Sequence, residues 1–313
     1  MQADTTLRAT GKFVDPEVTL SGQKRASVRL AALRTLWLNT GTLCNIACTN
    51  CYIESSPRND RLVYLARDEA ARFVAEAKAI SPGLAEIGFT GGEPFMNPDI
   101  AGMLADALAT GLQVLVLTNA MKPLWNRRAE IAALVAAHPG RLTLRVSLDH
   151  YAREGHERVR GDDTWAPAIE GLRWLAGTGA RLAVAARLVG PEDEAALRRG
   201  FAGLFAAEGI PIDAADPHAL VLFPEMDAAA DVPEISEACW GILSKSPDDV
   251  MCASSRMVVR RKGSDRASVV ACTLLPYDAA FDLGPTLAGA AGPVPLNHRH
   301  CAKFCVLGGA ACS

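Results

Sequence analysis

Leu43-Cys44-Asn45-Ile46-Ala47-Cys48-Thr49-Asn50-Cys51-Tyr52 places three thiols close together, just after the apolar run Leu36-Trp37-Leu38. Three thiolates at CxxxCxxC spacing can hold three irons of a [4Fe–4S] cluster and leave the fourth iron open to a ligand. A closed four-cysteine site suits structure or electron transfer instead. Zinc knuckles usually pair two CxxC arms, which this triple does not provide. Secreted disulfide frameworks need a signal segment and favour an even cysteine count; the chain has nine cysteines and no secretory h-region at its start.

A second motif, Thr90-Gly91-Gly92-Glu93-Pro94, follows the apolar run 85–89, about 40 residues after the triple. Paired glycines at a strand end let the backbone approach a ligand closely. Glu93 adds an acceptor, and Pro94 stiffens the exit. Alone, such a segment is a strand-end turn as readily as a binding loop.

Together the two motifs resemble those of the radical S-adenosylmethionine (SAM) superfamily. The resemblance implies that Cys44, Cys48 and Cys51 ligate a [4Fe–4S] cluster beside Tyr52. It also implies that Gly91, Gly92 and Glu93 bind the amino group of SAM. Such enzymes cleave SAM reductively to methionine and a 5′-deoxyadenosyl radical, which takes a hydrogen atom from the substrate. The electron would come from a flavodoxin- or ferredoxin-type donor.

Short apolar runs alternate with helical patterns along the chain. Strands are expected at 34–40, 85–90, 112–118, 142–147, 181–188 and 219–223. Helices are expected near 67–80, 98–110, 125–138, 163–178 and 191–208. Asn97-Pro98 reads as N-cap and N1 of the second helix, and Gly111 as its stop. This rhythm is α/β with a parallel sheet; the resemblance makes it a partial (β/α)6 TIM-like barrel over 34–223. Ligands in barrels gather at strand C-terminal ends, which singles out Asn119, Ser147 and Arg187. In similar enzymes polar residues at these places contact the ribose and carboxylate of SAM. The segment from Ser147-Leu148-Asp149-His150 to Arg158-Val159-Arg160-Gly161 also resembles the branch that carries C-terminal auxiliary-cluster domains, with His150 where glycine is usual.

From about residue 224 the rhythm stops and six further cysteines follow: 239, 252, 272, 301, 305 and 312. Cys252 and Cys272 bracket a hairpin of 257–261 and 268–271, turning at Lys262-Gly263-Ser264-Asp265. Cys301 and Cys305 can add two ligands from the tail. This looks like a shortened SPASM, or twitch, domain over 224–313 holding one auxiliary [4Fe–4S] cluster on Cys252, Cys272, Cys301 and Cys305, with Cys312 as the substitute ligand. Four thiolates would also suit zinc. Cys239 is a small buried hydrophobe by default. By resemblance to radical epimerases it is a catalytic hydrogen-atom donor.

At 313 residues the chain can bury one large core and a small second one. Residues 1–33 read as an N-terminal arm or a cap. A net charge of −3, a pI near 6.1 and short arginine patches disfavour nucleic acid. No apolar stretch is long enough to cross a membrane. Thiolate-held clusters imply a reducing, cytoplasmic compartment. The expected activity is radical oxidation, dehydrogenation or epimerisation of a small molecule. Peptide maturation using the auxiliary cluster is the alternative, and a non-catalytic electron carrier a third reading.

Overall fold

The computed structural model describes residues 11–225 and 231–308. In chain order the elements are β1 (Ser27–Val28), β2 (Thr35–Asn39), α1 (Arg67–Ile80), β3 (Glu86–Thr90), α2 (Ile100–Ala109), β4 (Gln113–Thr118), α3 (Lys122–Asn126) and α4 (Arg128–Ala137). There follow β5 (Leu142–Ser147), α5 (Arg153–Arg160), α6 (Trp165–Ala176), β6 (Arg181–Leu188), α7 (Glu194–Glu208) and β7 (Leu220–Pro224). The last are α8 (Ala238–Leu243), β8 (Ser255–Val259), β9 (Ser268–Val270) and β10 (Val294–Pro295).

β2 to β7 run parallel in sequence order, because each strand returns through a helical crossover. The strand order β7-β6-β5-β4-β3-β2-β8-β9 leaves the sheet open, with β7 and β9 as its edges. The fold is therefore α/β, built on an open and largely parallel sheet. The expected tail hairpin is present: β8 and β9 pair antiparallel, Met257 opposite Val270. It does not stand apart, because β8 also pairs parallel with β2, Leu36 opposite Arg256.

One sheet face packs on the helices; the other is apolar over β2, β4 and β8 but carries Thr143, Arg145 and Ser147 on β5. Leu36, Leu38, Ile87, Phe89, Val114, Val116, Leu144 and Val146 pack with the helices. On the other face Trp37, Leu115, Met257 and Val259 form a separate cluster. Gly88 makes room for Trp37, since a Cβ there would run into the indole ring.

Helix boundaries differ from the sequence expectation at several places, including α6 at Trp165–Ala176 and α7, which starts at Glu194. The second helix starts at Ile100, with Asp99 as its N-cap residue. Asn97 still caps the entry turn, its Oδ1 accepting from Asp99 N–H at 2.8 Å, while its Nδ2 donates to the Thr40 and Leu65 carbonyls, both at 3.0 Å. The helix expected over 125–138 is two, α3 and α4, with Arg127 between them out of helical geometry. α5 was not anticipated, for its eight residues are mostly charged.

Residues 11–33 lie against the C-terminal third. β1 pairs with β10, and Arg25 forms a buried ion pair with Glu234 at 2.5 Å. Ala26 and Val28 join the cluster that also contains Cys252, Cys301 and Phe304.

Candidate active site

The cysteine loop leaves the C-terminal end of β2 and is stitched to its neighbours by backbone bonds. Gly92 N–H donates to the Gly41 carbonyl at 2.8 Å, and Glu93 N–H to the Leu43 carbonyl at 3.1 Å. Cys44 N–H reaches the Ser56 carbonyl, and Thr49 N–H the Val159 carbonyl. The glycines are obligatory here. Gly91 has φ +144°, and Cβ atoms on Gly91 and Gly92 would strike the Gly41 and Leu43 carbonyls respectively.

One cavity of about 1130 Å³, counted out to its mouth, is lined by Cys44, Cys48, Cys51, Tyr52, Gly91, Gly92, Asn119, Ser147 and Arg187. These are the expected front-site residues except Glu93, brought together at the C-terminal ends of β2 to β6. Ile46, Ile53, Leu117, Phe223, Leu274 and Phe304 supply an apolar wall, the last two from the tail.

Glu93 stands behind this wall. Its carboxylate accepts from Thr118 Oγ1 at 2.9 Å, Asn119 N–H at 2.8 Å and Phe95 N–H at 3.2 Å. It thus braces the ends of β3 and β4. Burial pushes its pKa up to about 7 despite these donors. Asn119 is likewise engaged, its Nδ2 donating to Asn45 Oδ1 at 2.8 Å and lying 3.8 Å from Cys44 Sγ. Tyr52 OH shares a hydrogen bond with Thr90 Oγ1 at 3.1 Å.

Arg187 holds the loop itself: Nη1 donates to the Thr49 and Asn50 carbonyls, and Nε to Asp149 Oδ1 at 2.8 Å. Asp149 also pairs with Arg160 Nε at 2.6 Å, and Arg160 Nη1 lies 3.9 Å from Cys48 Sγ. Burial opposes the Asp149 charge, but Arg160 and Arg187 outweigh it and keep the carboxyl below its usual range. Sequence reasoning assigned no site role to Asp149, Arg160 or the cavity-lining Arg145. Arg145 had a signal, since it lies two residues before Ser147 and alternation puts both on one face.

Burial, and next the Glu93 carboxylate, raise the Cys44 thiol to about 12, and burial also raises Cys48. These thiols shed their protons only to a metal that replaces them. The surroundings fit a cluster with SAM: three thiols, nitrogen donors aimed at two of the sulfurs, glycine backbone at the cavity wall, and a Ser55 hydroxyl lining the cavity without a partner.

In the tail, Cys252, Cys272, Cys301 and Cys305 line a second, apolar cavity with Met251, Leu275 and Phe281. Cys301 and Cys305 sit on a π-helix, Cys301–Leu307, a rare geometry often found at functional sites. No three His, Cys, Asp or Glu among the described residues close on a single metal ion, and none of the eight described cysteines is in a disulfide. Cys239, on α8, does not line the front cavity; its Sγ lies 3.6 Å from Ser236 Oγ. Cys312 falls outside the described residues.

The family model for the radical SAM superfamily matches residues 38–196, about half of the chain. The chain belongs to the radical SAM superfamily. Family membership makes it an enzyme and implies the [4Fe–4S] cluster and SAM. GTP 3′,8-cyclase of Stenotrophomonas maltophilia (strain K279a) is 31% identical over 144 residues, covering 44% of this chain and 40% of the relative. Mycofactocin maturase MftC of Mycobacterium ulcerans (strain Agy99) is 29% identical over 136 residues, covering 44% and 34%. The matched stretch thus spans two fifths or less of these relatives' own length. In fold, the chain is similar to Streptococcus suis SuiB bound to precursor peptide SuiA, with a TM-score of 0.62 at 12% identity, covering 84% of this chain and 66% of that one. It is also similar to anSMEcpe with bound AdoMet, with a TM-score of 0.58 at 14% identity, covering 84% and 81%. No helix among the described residues is long and apolar enough to cross a membrane.

Proposed function

We propose that this radical SAM enzyme oxidises a peptide substrate, with Cys252, Cys272, Cys301 and Cys305 holding an auxiliary [4Fe–4S] cluster. The observation that carries this reading is the arrangement of two cysteine-lined cavities. The front cavity takes Leu274 and Phe304 from the elements that present the tail thiols. The tail thus forms part of the wall against which a substrate would lie.

Cys44, Cys48 and Cys51 would hold the cluster, which with SAM would supply a carbon-centred radical able to take hydrogen from an unactivated C–H bond. The chain's own residues do the positioning. Gly91 and Gly92 would hold the amino group of SAM through their backbone, and Ser147, lining the same cavity from β5, would contact its ribose or carboxylate. Arg187, through Asp149 and two loop carbonyls, fixes the cysteine loop that the ligand must meet. The apolar wall of Ile53, Leu117, Phe223, Leu274 and Phe304 keeps water from the reacting atoms. The sheet would curve as the partial (β/α)6 barrel expected from the resemblance.

SuiB and anSMEcpe were both captured with peptides, and one relative is a maturase; these favour a peptide over a small molecule. A second reading, a small anionic molecule, is supported by Arg145 in the cavity wall and by the GTP 3′,8-cyclase relatives. Cys239, away from the cavity, is given no role in either. A one-electron donor of the flavodoxin or ferredoxin type would serve both.

The test is anaerobic reconstitution with iron and sulfide, followed by metal counts. Wild type should hold about eight irons, and the Cys44/Cys48/Cys51 triple-Ala variant about four. A Cys252/Cys272 double-Ser variant should also fall to about four while keeping SAM cleavage. Four irons in wild type and none in the triple variant would remove the auxiliary cluster.

A further inference from the structure

Arg256, on β8, is fully buried. Its Nε donates to the Ala290 carbonyl at 2.8 Å, and its Nη1 to the Cys252 and Ser255 carbonyls at 2.5 and 2.8 Å. Nη2 is buried and has no partner. No carboxylate among the described residues pairs with this guanidinium, whereas Arg25, buried almost as deeply, has Glu234 at 2.5 Å. An isolated charge is not left in a protein interior without compensation, because its desolvation is unfavourable. Carbonyl oxygens offset part of that cost but carry no net charge.

The missing counter-charge has a place. Arg256 bonds the backbone of Cys252, and its charge acts on the Cys252 and Cys272 thiols. Those two line the apolar cavity with Cys301 and Cys305. Four thiolates around an iron–sulfur core carry net negative charge, in a setting of low polarity where charges act strongly. We propose that Arg256 is the buried counter-charge of the four-thiolate cluster and holds its reduction potential up. This rests on the reading of the tail as a cluster site.

Reduction adds an electron to an already anionic centre, so a fixed cation nearby favours the reduced form. Arg256 is thus a positioning and tuning residue rather than a catalytic one. A merely structural role, tying the turn Met251–Ala253 to the turn Gly289–Ala291, would lower stability and leave the potential where it was.

The experiment uses the full chain carrying the Cys44/Cys48/Cys51 triple-Ala substitution, so that only the tail cluster reports. Its potential is measured by EPR-monitored redox titration with Arg256 intact and in Arg256→Gln and Arg256→Lys. At the parent's midpoint, Gln should lower the reduced-to-oxidised ratio at least tenfold, equivalent to about 59 mV for one electron. Lys, which keeps the charge, should stay within about threefold. If Gln fails to retain iron, retention by Lys supports the proposal and loss from both overturns it. An unmoved potential in a loaded Gln variant, or an equal shift in Lys, overturns the role of Arg256 alone. A parent that binds no iron overturns the tail reading and this one together.

Discussion

Gly92 meets the cysteine loop so closely that a methyl group would strike the Leu43 carbonyl. Gly92→Ala should therefore shift the loop relative to β3, and a misplacement near 1 Å costs roughly a hundredfold in rate. The expected outcome is about that loss in 5′-deoxyadenosine formation, with iron content retained; unchanged formation would contradict the close packing. Asp149 poses the complementary case. Asp149→Asn strips the shared anion from Arg160 and Arg187, and breaking a buried ion pair costs about 3–5 kcal/mol. Urea unfolding should register a loss of that size. The glycines were legible in the sequence because their close approach admits no other residue, and the cysteine triple because its spacing stands out. The Asp149 network was not, since its members come from a strand end, a helix and the next strand. Only burial makes those charges matter, and burial is a property of the fold.

α5 illustrates what an element can conceal. It is mostly charged, yet His156 within it is fully buried against Trp165, ring centroids 5.6 Å apart, with both ring nitrogens unpartnered. Burial, then Arg160, lower its pKa to about 4. The unfolded chain, with an imidazole near 6.5, takes up a proton in a range where the folded chain does not. Stability from neutral His156 is therefore complete above about pH 6.5 and drains away as pH falls toward 4. At about 1.36 kcal/mol per pKa unit the ceiling is roughly 3 kcal/mol. His156→Phe should flatten the dependence of urea midpoint on pH across that window; an identical slope would show that other groups carry it. In β3, Gly88→Ala would press on the buried Trp37 indole, an overpacking expected to cost about 1–3 kcal/mol. Urea unfolding against wild type would read it, and no change would mean that the ring can move.

At the scale of the whole molecule, the tail is joined to the sheet rather than appended to it. β8 extends the parallel sheet beside β2, and the segment before β2 packs on the tail through β1, Arg25 and Ala26. The strand order β2 to β7 followed from alternating apolar runs and crossover helices, which are local signals. The β2–β8 pairing links residues more than 200 positions apart, and nothing local in 255–259 announces its partner. The β8–β9 hairpin was readable from its turn; the uncompensated Arg256 within it was not, because an arginine in a strand reads as exposed. This architecture brings the front thiols, the glycine backbone and part of the tail to one cavity. On the function proposed above, Cys44, Cys48 and Cys51 there would hold the cluster that cleaves SAM. The most direct measurement is dithionite-driven release of 5′-deoxyadenosine from SAM by reconstituted wild type and by the Cys44/Cys48/Cys51 triple-Ala variant. Release by wild type and none by the variant is the predicted result; equal release from both, or none from an iron-loaded wild type, would contradict it.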